Sequence, residues 1–66
     1  MYREDTNMAF RVRQVWTRGD TDSPEFENVI VYFAGDFIVV AKSENDSSPT
    51  WINHNDVLLM RGVREL

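Results

Sequence analysis

Residues 27–43, ENVIVYFAGDFIVVAKS, constrain the fold more than any other stretch of this chain. Val29, Ile30, Val31, Tyr32 and Phe33 precede Ala34-Gly35-Asp36, and Phe37, Ile38, Val39 and Val40 follow it. Branching at Cβ or an aromatic ring suits a pleated, half-buried surface, so both runs favour strands. Each has strand length and would be short for a helix. Gly35 supplies the positive φ of a tight reversal, and Asp36 can bond its own backbone there. The spacing therefore predicts a hairpin with a loop of two or three residues. Apolar residues fall on both faces of both runs, which predicts a central hairpin covered on each side.

Sixty-six residues make one domain. A polar arm over residues 1–7 and a single β domain over 8–66 are expected. So small a chain buries only about 60% of its unfolded surface, which makes oligomerisation through the doubly apolar hairpin a reasonable expectation. There is no cysteine, hence no disulfide and no thiolate metal site or nucleophile. That, with a polar N-terminus and no apolar run of membrane length, predicts a cytoplasmic chain that binds no membrane.

Met8 to Thr17 alternates, with Met8, Phe10, Val12 and Trp16 on one face and Ala9, Arg11, Arg13, Val15 and Thr17 on the other, interrupted by Gln14. Period two predicts a half-buried strand with its arginines outward. Residues 18–25 (RGDTDSPE) and 43–49 (SENDSSP) are polar loops. Thr50-Trp51-Ile52 is a short strand, residues 53–56 a tight turn, and Val57 to Val63 a last strand. A short helix capped by Asn55 competes for residues 55–62, and the fold holds at most one helical turn.

The expected fold is all-β: a small five-stranded antiparallel barrel or rolled sheet. The order of strands and loops over residues 8–64 resembles that of SH3-like and Sm-like barrels. Asn53-His54 before the last apolar strand, and Met60-Arg61-Gly62 within it, resemble the end of Sm-like chains; the glycine and aspartate spacing of the first Sm motif is absent. The resemblance implies that the first and last strands lie side by side, and a closed barrel would remove the sheet's edges.

Charge is unevenly placed. The chain carries a net −4, yet residues 1–18 sum to +2, residues 19–46 to −6 and residues 47–66 to zero. Six of the seven cations are arginine, the residue of bidentate and stacked contacts. Arg11 and Arg13 beside Arg61 and Arg64, with Trp16 or Tyr2 within reach, would form the basic, aromatic-bearing strip that single-stranded nucleic acid binders use. The competing reading is a solvated face, favoured by the overall acidity. Asp20, Asp22, Glu25, Glu44 and Asp46, with Trp51, could instead present an acidic surface to a basic protein. Asp20, Asp22 and Glu25 read more simply as part of a solvated loop whose neutralisation leaves stability nearly untouched.

Other signals point away from chemistry. The acidic loop lacks the glycine and terminal glutamate of a Ca²⁺ loop, and Arg18-Gly19-Asp20 matches an integrin-binding tripeptide by chance. His54 is the one histidine and reads as a turn residue, since acid–base catalysis needs a pocket and a nucleophile. No phosphate loop, HExxH or paired-carboxylate signature occurs, so neither a cofactor, a metal nor enzyme activity is expected. Three binding readings follow. The first is a protein-interaction module, in the manner of small phage or mobile-element inhibitors, acting through acidic loops and an exposed aromatic or arginine. The second is a nucleic-acid-binding barrel using the arginine strip, and the third a subunit that oligomerises through residues 29–40.

Overall fold

A computed structural model describes residues 8–66, so the expected arm over residues 1–7 lies outside the described residues. The chain forms β1 (Ala9–Thr17), β2 (Phe26–Ala34), β3 (Phe37–Ala41), β4 (Thr50–Asn53), β5 (Val57–Arg61) and β6 (Arg64–Glu65), with a 3₁₀ turn over His54–Asp56. All pairings are antiparallel, and the strands lie in the order β4-β3-β2-β1-β5, with β6 also on β1.

The hairpin sits where its composition demands. Phe33 faces Ile38 and Ala34 faces Phe37 around Gly35, whose φ is +62°. Both hairpin strands are internal, β2 between β1 and β3, and β3 between β2 and β4. Val29, Val31, Ile38 and Val40 join Val12 and Val15 in the core, with Phe10, Phe26, Ile52, Val57 and Met60 packed against it. Ile30, Val39 and Ala41, on the opposite face of the same strands, are buried as well. The hairpin is thus covered on both sides.

The sheet does not close into a barrel among the described residues. β4 and β5 remain at opposite edges, although only the 3₁₀ turn separates them in sequence. The expected fifth strand also divides in two, because Gly62 adopts φ +68° and interrupts the ladder between Arg61 and Arg64. Residues 57–61 are strand rather than helix. Asn53, not Asn55, caps the turn, its side chain accepting the Asn55 N–H at 2.9 Å.

A second departure matters more for function. Val12 and Val15 are both fully buried, so β1 changes its inward face from even to odd positions between them. Thr17 is buried too, while Arg11 and Arg13 are exposed and Trp16 is half-buried. The sequence pattern had placed Val15 and Thr17 with the arginines, and Trp16 opposite them. Asn28 accompanies the change. It lies across from Arg13, between the pairs Val12–Val29 and Gln14–Glu27, with φ +55°. Asparagine tolerates this left-handed conformation better than a branched residue would.

Candidate functional site

β1 is flanked on its outer edge by the last two strands, and their registers bring the arginines together. Arg11 lies directly opposite Arg64, Gln14 opposite Arg61, and Trp16 opposite Leu59. Arg13 completes the group through Gly62. A Cβ on residue 62 would fall 2.7 Å from Arg13 Cγ and Cδ and 2.9 Å from its Cβ. The stem of Arg13 therefore lies across the break between β5 and β6, in space that only a glycine leaves free.

Two hollows adjoin this crossing. The larger, of about 530 Å³, is lined by Arg11, Arg13, Asn28, Gly62, Val63 and Arg64. The smaller, of about 240 Å³, is lined by Arg13, Gln14, Arg61 and Gly62. Among the described residues no carboxylate lines either one. Glu27, opposite Gln14, borders the strip, and Glu65 sits opposite Phe10. Trp16 Nε1 donates to Gln14 Oε1 at 3.3 Å, which fixes the indole beside the smaller hollow. The change of inward face along β1 is what moves Trp16 to the arginines' side.

Like charges directly opposite on neighbouring strands destabilise a sheet by a few tenths of a kcal/mol to about 1 kcal/mol. Arg11 and Arg64 carry that cost. An anion seated between them would remove it, and guanidinium forks suit bidentate contact with phosphate or carboxylate oxygens.

The acidic candidates behave differently. Asp20 Oδ1 accepts the Asp22 N–H at 3.0 Å and Oδ2 the Ser23 hydroxyl at 2.9 Å. The Asp22 amide, followed by the Ser23 hydroxyl, holds its carboxyl below the ordinary range. Asp46 accepts the Lys42 and Ser48 N–H groups, each at 2.9 Å, and these amides lower its pKa in that order. Glu25 Oε1 accepts the hydroxyl of buried Thr17 at 2.8 Å. Of the three carboxylates read as a solvated loop, Asp20 and Glu25 are thus tied to the structure, and Asp46 is tied in the second loop. Asp22 and Glu44 are exposed.

The acidic loops lie at one end of the sheet, since β2 begins where β3 ends. Trp51 leans the other way, towards the hairpin turn, with its ring edge-to-face on Phe37 at 5.9 Å. Trp51 is 57% exposed and Phe37 42%. Phe33, in β2, is also exposed and packs edge-to-face on Phe10 at 6.0 Å.

Arg18 anchors the integrin-like tripeptide, with its backbone N–H on the Asp56 carbonyl and its Nε on the Asn55 carbonyl, both at 2.9 Å. His54 lies in the 3₁₀ turn, its backbone N–H donating to the Asp36 carbonyl at 3.0 Å. Among the described residues no three His, Asp or Glu side chains are grouped to hold a metal ion, and no helix is long and apolar enough to cross a membrane. Comparison with family models, curated proteins and solved structures found no match to this chain.

Proposed function

We propose that this chain is a non-enzymatic binding module that takes single-stranded nucleic acid along the outer face of β1, β5 and β6. The observation that carries the reading is the convergence of Arg11, Arg13, Arg61 and Arg64 on hollows that no described carboxylate lines, with Arg11 opposite Arg64. Guanidinium groups follow a phosphate backbone, and Trp16 beside Gln14 offers a ring on which an unpaired base stacks. A base within a duplex is already stacked, which favours single strands. The order of elements, with the last strands on the first, resembles that of SH3-like barrels and supports a binding role by analogy. The net charge of −4 argues against strong binding to any polyanion, so affinity is expected to be modest and strongly salt-dependent.

A fluorescence-anisotropy titration with mixed single- and double-stranded oligonucleotides, at about 50 to 200 mM salt, tests this. Single strands should bind, the affinity should fall steeply with salt, and Arg11→Ala with Arg13→Ala should abolish binding. Absence of binding at the lowest salt refutes the reading.

The exposed Trp51–Phe37 pair supports a second reading, a protein-interaction module anchored on these rings, since exposed aromatics dominate binding energy at interfaces. A cytoplasmic inhibitor or accessory protein would fit that reading. Its mark would be a partner lost in Trp51→Ala and kept in Arg11→Ala. Oligomerisation through the hairpin gains no support from strand pairing, because both hairpin strands are already paired on each side.

A further inference from the structure

We infer that Arg13 divides the arginine strip into two phosphate subsites, so that the ligand is read as two successive phosphates of one extended strand. This rests on the nucleic-acid reading above and adds the number and place of the phosphates. The dividing element is visible in the backbone. Gly62, at φ +68°, leaves the space in which the Arg13 stem crosses from β1 to the break between β5 and β6. Arg11 and Arg64 lie on one side of that crossing, with Asn28 and Val63 beside them in the larger hollow. Arg61 and Gln14 lie on the other. Arg13 lines both hollows, so its side chain borders each subsite.

Spacing sets the stoichiometry. Arg11 and Gln14 are three residues apart on one strand, roughly 10 Å at ~3.3 Å per residue. That is too far for the oxygens of one phosphate to serve the Arg11–Arg64 pair and Arg61 together. Two phosphates, one per hollow, satisfy both. Trp16, held by Gln14 past the smaller hollow, then meets the base attached beyond the second phosphate.

The test uses the full chain carrying Trp51→Phe, so that Trp16 is the one remaining indole. Oligothymidylates of two to six nucleotides with free 5′-hydroxyls are titrated at about 50 to 200 mM salt and followed by Trp16 fluorescence. A dinucleotide has one phosphate and a trinucleotide two. Affinity should rise at least tenfold between them, then level off, with quenching of Trp16 appearing at the trinucleotide. With single strands contributing a slope of about −0.7 per phosphate, the log–log salt dependence should approach −1.4.

Arg61→Gln should remove the step from dinucleotide to trinucleotide while leaving dinucleotide binding in place. Arg64→Gln should weaken every length alike. Both side chains are exposed, so the variants are expected to fold, and circular dichroism checks that they do. A slope near −2.8 with affinity still climbing at five or six nucleotides overturns the two-subsite assignment, leaving the nucleic-acid reading intact. Indistinguishable length profiles for Arg61→Gln and Arg64→Gln do the same. No binding of any oligonucleotide at the lowest salt overturns both.

Discussion

The acidic loops and the arginine strip use charge in opposite ways. Asp20 and Asp46 each accept two hydrogen bonds from their own loops, and Glu25 accepts one from the neighbouring strand. These carboxylates stand in for the backbone acceptors that a loop of small polar residues lacks. Among the described residues, the arginines of β1, β5 and β6 are arranged without such bonds. Among the described residues none of the four donates a side-chain hydrogen bond, whereas Arg18 does. The lesson is that much of the loops' acidity records how the loops are held, while the sparse cations of β1, β5 and β6 line open hollows.

The largest test of this contrast bears on the strip's backbone. Gly62→Ala adds a Cβ at positive φ and drives it into the Arg13 stem, so chemical denaturation should show a loss of about 2–3 kcal/mol. Gly35→Ala shares the strain without the collision, as nothing lies within 4 Å of its Cβ position, and should cost about 1 kcal/mol. Equal losses would remove Arg13 from its assigned seat. On the acidic side, Glu25→Ala leaves the buried Thr17 hydroxyl without its acceptor and should cost about 1–2 kcal/mol. Glu44→Gln, with no structural bond assigned, should change stability by less than about 0.5 kcal/mol. Similar costs for the two would erase the distinction between tied and idle carboxylates.

Smaller effects sharpen the comparison. Arg11→Glu turns a like-charge pair with Arg64 into an attractive one, and should stabilise the fold by roughly 0.2–1 kcal/mol while abolishing oligonucleotide binding. Stability and function would then move in opposite directions, as expected where a binding face carries strain. The smallest effect is titration of the loops. Hydrogen bonds hold Asp20 and Asp46 below their ordinary value of 3.8, so their stabilisation is full above about pH 5 and is lost as pH falls through the lowered values. Thermal melts between pH 5 and 2 should fall less steeply in Asp20→Asn and Asp46→Asn. An unchanged slope would leave the two carboxylates without a structural role.

Much of this arrangement was legible in the residues. β-branched runs around Gly35 specify the hairpin because local propensity, turn chemistry and two-sided burial agree there. The adjacency of the first and last strands is what the resemblance to SH3-like barrels implies, and it brings Arg11 and Arg13 to Arg61 and Arg64. What stayed hidden depends on single backbone angles. Nothing in the local pattern announces that Asn28 takes φ +55° while β1 changes its inward face, and that change decides on which side Trp16 stands. Gly62 lies within the expected last strand, yet its positive φ makes room for Arg13. Phe33 and Phe37 carry the composition of a core but lie beside the turn, where the sheet has no layer left to cover them. An open sheet rather than a barrel is a long-range outcome, decided by whether β4 and β5 meet.

Placing the last strands on the first also orders events in time. During synthesis β1 emerges early, with Val12 and Val15 apolar on one side, but its outer neighbour is not made until residues 57–65 follow. At ~5–20 residues per second, the forty positions from Thr17 to Val57 take roughly 2–8 s. Through that interval the nascent chain can pair β1 with the β2–β3 hairpin, leaving the arginine edge bare. The arginine face is therefore completed later than the hairpin on the other side of β1.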